Sequence, residues 1–399
     1  MPDFNVPTKR LLPNLIIPVI GVSSLLISPV YASGLLLQEA VVANAGTVGA
    51  GDGVYTDSAA AMWANPATMS YMGESKTTVN GLLFDLQMDY DDKQGGGNAN
   101  GHTVMPAVGV FHTQQLTDKW HAGIALGTVG GSSIDYGQEW AGSLLMSDIT
   151  LTALQLNPSV SYQANENLSF GAGIQFSWAS LEMGMLNGQV NLDEDSDWAY
   201  GYNVGVMYKL NEQVDLGFSF RSKVEHEFST TMTGPAALSP SVATDLSVPA
   251  IYDVSAKYAA TDKLNLLTSV QLHRWSEWDQ TAFELAGGAQ ASIDRQWDDV
   301  WKIALGADYQ VSSDWKLKAG FSYETSPQND PTYQWVDLPV GEQYRYSVGA
   351  STSWNDYTFD LFYEYADLGD VDMLHESSVS PVNGTFSGQM HFIGLGVTF

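Results

Sequence analysis

The 399-residue chain contains no cysteine, so a disulfide framework, a thiolate metal site and a thiol nucleophile are all excluded. Positive charge is scarce as well, with 16 Lys and Arg against 45 Asp and Glu and a formal net charge of −29. Such a surface repels phosphate backbones, and nucleic-acid binding by charge is excluded. Beyond residue 32 there is no apolar run of about 18 residues, so no helix in that part of the chain is expected to cross a bilayer. The histidines, at 102, 112, 121, 226, 273, 375 and 391, follow no metal-ligand spacing and flank no serine motif. No metal, cofactor or enzymatic activity is expected; a lipase or acyltransferase would have to assemble its triad purely through folding.

What is present is the composition of a β-protein, with 38 Gly, 19 Tyr, 15 Phe and 12 Trp and only 15% charged residues. Lys9 and Arg10 precede a mostly apolar stretch that ends at Val30-Tyr31-Ala32, which reads as a signal peptide over 1–32 cleaved after Ala32. Pro13, Pro18 and several serines in that stretch make a permanent spanning helix the poorer reading. A secreted chain without spanning helices can still cross a membrane as a closed barrel, in which backbone groups are satisfied between strands.

Alternation is strict in many segments. Trp315, Leu317, Ala319, Phe321 and Tyr323 share one face, and Lys316, Lys318, Gly320, Ser322 and Glu324 the other. The same split recurs over 301–310 and 169–178, and the chain closes with Ile393, Leu395, Val397 and a terminal Phe399 on one face. A soluble sandwich would also alternate. Segment length, aromatics near segment ends and the terminal aromatic favour strands that cross an apolar band between aromatic girdles.

Short polar turns at 115–118, 165–167, 211–213, 261–263, 312–314 and 355–356 alternate with longer polar or acidic connections such as 186–197 and 325–342. That asymmetry predicts fourteen antiparallel strands near 77–90, 102–114, 119–134, 148–164, 168–182, 198–210, 214–230, 249–260, 264–276, 298–311, 314–325, 343–354, 357–367 and 387–399, with the short turns periplasmic. The fold expected is all-β, a transmembrane barrel over 76–399. Residues 33–75, rich in Ala and Gly and without alternation, form an N-terminal plug inside its lumen. The acidic run Asp193-Glu194-Asp195-Ser196-Asp197 starts like an EF-hand loop, but Trp198 stands where glycine is needed and Val204 where a bidentate Glu is needed. It reads as a solvated loop; a divalent cation bridging to lipopolysaccharide phosphates is the weaker alternative.

The start SGLLLQEAVVANAG, the triplet Asn65-Pro66-Ala67, and the strand texts LTALQLNPSVSYQANENLSFGAG, WAYGYNVGVMYKL, LGFSFRSKV and WKIALGADYQVSSDWKLKAGFSYETSP occur in this order along the fourteen-strand layout. In that order they resemble the FadL-type long-chain fatty acid transporters of the outer membrane, across essentially the whole mature chain. The resemblance implies a hydrophobic-compound channel in the Gram-negative outer membrane, surrounded by lipid and lipopolysaccharide. It also implies an N-terminal hatch whose motif is Asn65, Pro66 and Ala67, a pocket reached by Leu35, and a kinked third strand that opens the wall sideways. Gly130 and Gly131 would mark that break, since paired glycines supply no side chain and permit unusual dihedrals. A monomer is expected.

A fatty acid needs an anchor for its carboxylate, and the inward basic residues Arg221, Lys223, Lys302 and Arg345 qualify. Alternatively they pair with lumen acids such as Glu225, Asp253 or Asp308. From Trp120 to Tyr208 there is no Lys or Arg, unlike the family pattern, so neutral or aromatic ligands stay open, with Trp140, Met146, Met183 and Met185 lining the pocket or merely packing loops. A general porin and a purely structural barrel or adhesin are the rival readings. A plug argues against an open pore.

Overall fold

The computed structural model describes residues 39–399 apart from Leu238 and Val340. The expected leader 1–32, its cleavage site and Leu35 lie outside the described residues. Eighteen strands follow one another: β1 (Ser75–Asp92), β2 (Ala99–Gln115), β3 (Trp120–Asp135), β4 (Asp148–Asn165), β5 (Leu168–Met185), β6 (Val190–Lys209), β7 (Val214–Arg221), β8 (Val224–Thr233), β9 (Ser241–Val248), β10 (Ile251–Thr261), β11 (Leu264–His273), β12 (Gln280–Leu285), β13 (Gln290–Asp294), β14 (Val300–Gln310), β15 (Trp315–Glu324), β16 (Gln343–Trp354), β17 (Tyr357–His375) and β18 (Val382–Thr398).

Fourteen of them form the wall. Each of β1 to β6 pairs with its successor, β7 pairs with β10, β10 with β11, β11 with β14, and the series runs on to β18, which closes on β1 with Thr78 opposite Thr398. The fourteen-strand expectation holds. Closure of β18 on β1 removes the terminal edges of the sheet, a condition for strands to lie in hydrocarbon. Facing is as alternation demands: Leu83, Val108, Ile174, Leu305, Leu317, Leu361, Ile393 and Leu395 point outward and are more than half exposed to the surroundings. Trp120, Trp315, Trp354, Tyr357 and Phe399 ring the short-turn end, and Trp198, Tyr200, Tyr202, Trp301 and Tyr346 the other.

The remaining strands were not foreseen. Strand seven was expected to continue to residue 230, yet the wall strand stops at Arg221. The Ser222 amide donates to the Tyr202 carbonyl and its hydroxyl accepts from the Tyr202 amide, which turns the chain off the wall. Lys223 therefore sits in the turn and not on a wall strand. Past it, β8, β9, β12 and β13 form a small antiparallel sheet beyond the wall on the long-loop side. The acidic run is likewise no solvated loop but part of β6. Asp195 and Asp197 accept from the backbone amides of Ser229 and Glu227, so alternate carboxylates serve as the partner edge for β8.

Residues 39–72 contribute no strand. They hold three 3₁₀ turns (Glu39–Val41, Asp52–Val54, Pro66–Tyr71) and one helical turn, α1 (Ala61–Ala64). Nearly all of this segment is buried against inward-facing positions of the wall, many of which are glycine. A Cβ on Gly171 would stand 2.4 Å from the Ala67 amide nitrogen, one on Gly217 2.5 Å from the Gly53 carbonyl oxygen, and one on Gly320 2.3 Å from the Thr47 backbone. These inward glycines exchange side-chain packing for close approach of a second backbone. Gly171→Val should therefore dislodge the segment at a cost of about 1–3 kcal/mol without breaking wall pairing. Planar-bilayer recording is expected to show increased ion conductance while the purified barrel keeps its strand content by circular dichroism. Unaltered conductance would show that the notch is not a seat.

Candidate functional site

The Asn65-Pro66-Ala67 triplet is built by local chemistry. Asn65 caps the turn that begins at Pro66, its Oδ1 accepting from the Ala67 amide at 3.0 Å, and Pro66 occupies the first position, where no N–H is needed. The same amide group donates through Nδ2 to the carbonyls of Gly53 (2.8 Å) and Val206 (3.0 Å), joining two parts of the segment to β6. Gly205 makes room for it, since a Cβ there would meet Asn65 Oδ1. Further bonds run from Gly51 to Ser269 and from Ser169 to the Ala67 carbonyl.

On the long-loop side of this segment lies a continuous apolar cluster. Phe84, Tyr90, Phe386 and Phe392 from β1 and β18 meet Trp140 and Met146 from the β3–β4 connection, with Trp140 5.2 Å from Tyr90 between ring centroids. Trp140 donates its indole N–H to the Met146 carbonyl, so its polar tip is satisfied internally and its ring faces apolar neighbours. Met183 borders this cluster; Met185 is not among its members. A second cluster joins the N-terminal segment (Val41, Met62, Trp63, Met69) to Phe111 and Ala125, and Val129 touches both clusters.

Val129 is also where the wall departs from regularity. In the β3–β4 ladder Thr128 pairs with Leu154 and Gly130 with Ala153, so Val129 is an extra residue. On its other edge β3 pairs with β2 only from Gln115↔His121 to Gly109↔Gly127. Beyond that, 99–108 of β2 remain paired with β1 and 128–135 of β3 with β4, but no backbone pair joins the two stretches among the described residues. The gap has a sill, where the Thr128 hydroxyl accepts the Val108 amide at 3.3 Å, and a lintel, where Ile134 packs on Gly101 and the Ala141 amide donates to the Gly97 carbonyl. Gly130 and Gly131 lie directly above the bulge; the register slip itself falls on Val129. Pro106, with no N–H to pair, lies on the opposite edge. A different proline shows how such a loss is repaired elsewhere. Between β4 and β5 the ladder skips from Leu156↔Phe176 to Ser159↔Gly173, and Asn157 Nδ2 donates at 2.8 Å to the carbonyl of Ile174, which stands opposite Pro158.

The four basic residues differ in their partners. Lys223 pairs with Glu225 at 2.9 Å. Lys302 lies 3.0 Å from Glu324, and Arg345 contacts Glu39, Glu324 and Glu364, so neither uses Asp253 or Asp308. Those two acids are engaged otherwise, Asp253 by Ser255 and Gln271 and Asp308 by Asn265. Among the described residues Arg221 meets neutral acceptors only: Gln155 at 2.7 Å, Gln175, the Trp63 carbonyl at 2.7 Å, and Asn157 at 3.4 Å, with its guanidinium carbon 4.5 Å from the Trp63 ring centre. Arg221, Lys302, Glu39, Asp52, Asp253 and Glu364 line one cavity between the segment and the wall. Glu39 and the glutamines were not expected as site residues, because nothing in their local sequence marks them.

Folding does bring one serine, histidine and aspartate into line. Ser177 Oγ and His226 Nε2 share a 3.0 Å hydrogen bond, and His226 Nδ1 lies 3.5 Å from Asp197. Ser177 and His226 are both buried, at 1% and 0% exposure, so no ester could reach the hydroxyl.

A closed barrel with an apolar outer belt, aromatic girdles and an apolar lumen cluster defines an outer-membrane transport channel. The sequence model of the outer membrane protein transport family (OMPP1/FadL/TodX) matches residues 23–399, and the chain belongs to that family. It is 22% identical over 395 residues to outer membrane protein P1 of Haemophilus influenzae, covering 84% of this chain and 86% of that protein. It is 20% identical over 383 residues to a long-chain fatty acid transport protein of Salmonella typhi, covering 84% and 87%. Among solved structures, a Pseudomonas aeruginosa FadL homologue superposes with a TM-score of 0.82 at 19% identity, over 92% of this chain and 99% of the other. The Pseudomonas putida toluene transporter TodX gives 0.68 at 16% identity, over 93% and 99%. The family comprises channels for hydrophobic compounds and not enzymes, and its place is the Gram-negative outer membrane.

One buried acid makes the segment pH-sensitive. Asp52 accepts from the amides of Ala43 (2.8 Å) and Asn44 (3.1 Å), and burial, the dominant cause, pushes its carboxyl from 3.8 up to about 6. A group whose pKa is raised by folding adds stability below its unfolded pKa and loses it as pH rises through the folded value. The closed segment should gain roughly 3 kcal/mol against local opening as pH falls from about 6 to 3.8. Hydrogen exchange at Ala43 and Asn44, corrected for intrinsic rate, measures this, and Asp52→Asn should flatten the dependence. An equal dependence in the variant would place the effect elsewhere.

Proposed function

We propose that the chain takes up long-chain fatty acids or similar hydrophobic molecules by binding them in the apolar cluster of the lumen and releasing them sideways between β2 and β3. The observation that carries this reading is the loss of pairing between 99–108 and 128–135 while both strands continue. Residues 33–75 act as a hatch: their described part, seated on the inward glycines, obstructs a route straight down the barrel and disfavours a general porin. The names of relatives, a long-chain fatty acid transport protein and a toluene transporter, fit an apolar cargo, acidic or neutral.

The lateral route has a thermodynamic rationale. Each methylene kept out of water is worth roughly 0.8 kcal/mol, so passage from an apolar cluster into lipid avoids a cost that grows with chain length. Trp140, Met146 and Met183 contribute apolar surface to the binding region. Gly130 and Gly131 keep the window free of side chains on the β3 edge.

Replacing Gly130 and Gly131 together by valine should fill the window. Uptake of radiolabelled oleate by cells carrying the variant is expected to fall severely, while the purified barrel still folds and still binds oleate. Wild-type uptake in a folded double variant would overturn the lateral route and favour passage through the lumen.

A further inference from the structure

The N-terminal segment is fixed in two different ways. Along 44–70 it is held by backbone seats on glycines, by bonds with wall serines and by Asn65 donating to the wall carbonyl of Val206. Its leading turn, Glu39–Val41, is held by a side chain. A Cβ on Gly109 would stand 2.4 Å from the Ala40 carbonyl oxygen, and one on Gly127 2.5 Å from Val41 Cγ1. Those two glycines are the last cross-strand pair beneath the gap. The turn therefore rests on the sill of the window. Asn80 donates to the carbonyls of Ala40 and Val42 at 3.3 and 3.2 Å, both long, and the remaining anchor is the ion pair of Glu39 with Arg345 across the lumen.

That ion pair is incomplete. Glu39 Oε1 accepts from Arg345 Nη1, but among the described residues Glu39 Oε2 is buried without a partner, and so is Arg345 Nε as a hydrogen-bond donor. Glu324 and Glu364 crowd the same guanidinium at 3.4 and 3.5 Å, Gln343 accepts from its Nη2 at 3.2 Å, and Lys302 is the only other Lys or Arg in the network among the described residues. A guanidinium binds a carboxylate best through two parallel N–H···O bonds, and Glu39 uses one. A free carboxylate, not tethered to the turn, can use both.

We propose that Arg345 is a carboxylate-exchange subsite, with Glu39 as its resident occupant and the carboxylate of a long-chain acid as its competitor. One carboxylate leaves as another arrives, so the charge of the network is unchanged, and the turn loses its anchor on the window sill. A neutral ligand of the same length has nothing to exchange. This inference rests on the uptake reading above and adds a substrate-sensing step to it.

The test uses the full-length mature protein in detergent micelles, titrated with oleate and with oleyl alcohol by tryptophan fluorescence. Glu39→Gln should tighten oleate on the order of tenfold, the worth of one charge-assisted hydrogen bond, and leave oleyl alcohol unchanged. Arg345→Gln should weaken oleate and spare the alcohol. In the wild type, hydrogen exchange over residues 40–43 should rise with oleate and not with the alcohol. Should Arg345→Gln fail to fold, the Glu39→Gln ratio and the exchange measurement still decide. Binding of both ligands with an unchanged oleate-to-alcohol ratio in Glu39→Gln would overturn the exchange alone. Binding of neither ligand by the wild type would overturn the uptake reading, and the exchange with it.

Discussion

A backbone amide or carbonyl left without a partner in hydrocarbon costs several kcal/mol, and the architecture of this protein follows from avoiding that cost. Closure of β18 on β1 satisfies the ring, and the outward apolar and inward polar faces follow from the two-residue period once the ring is closed. Against this constraint the unpaired stretches of β2 and β3 stand out. Each keeps its ladder on the other edge, interrupted only at the Val129 bulge, Pro106 removes one donor, and the Thr128 hydroxyl receives another. At Pro158 the opposite solution is used: Asn157 fills in for the missing amide and the wall stays shut. The contrast between one interruption repaired by a side chain and one left open separates a tolerated irregularity from a window.

Packing inside the ring obeys a second constraint. A non-strand segment can lie against a sheet at backbone distance only where the sheet presents no side chain, and Gly171, Gly205, Gly217, Gly306, Gly320 and Gly349 present none toward residues 44–67. Glycine weakens a strand by entropy and by lost packing. Here the loss is offset by burying Ala50, Val54, Ala67 and their neighbours completely. The inward glycines and the alanine-rich segment are thus two halves of one interface.

The wall was legible in the sequence because both of its signals are local. Alternation over 315–324 and the polar turn at 312–314 need no knowledge of partners, and the strand there, 315–324, falls where expected. Partner choice was not legible. Strand seven reads through Ser222 and Lys223 without a change of period, and only the register of Tyr202 against Ser222 turns the chain away. The acidic run gave no sign that Asp195 and Asp197 would accept amides from β8, since those contacts join residues 34 and 30 positions apart in sequence. For the same reason Lys302 and Arg345 were recognisable but their acids were not, whereas Glu225, two positions from Lys223, was. Glu39, the partner of Arg345, lies 306 positions away, in a stretch whose sequence marks it only as not being strand.

Arg221 and Arg345 divide the work of two buried cations. Arg221 takes the Trp63 carbonyl, a backbone atom, together with three side-chain amides, and stacks on the Trp63 ring. No ligand with one negative charge can replace that set, because removing it would strip a carbonyl and an aromatic face at once. Arg345 has Gln343 as a neutral partner at 3.2 Å, but its other partners are carboxylates, each chemically equivalent to any other carboxylate that reaches the lumen. Neutral, geometrically fixed partners make Arg221 a permanent clamp on the middle of the segment. Ionic, interchangeable partners make Arg345 the weaker hold on its leading end. A segment clamped at its middle and tied by an exchangeable bond at its tip can free residues 39–41 while the glycine seats stay filled, and these are the residues that rest on the sill of the open ladder.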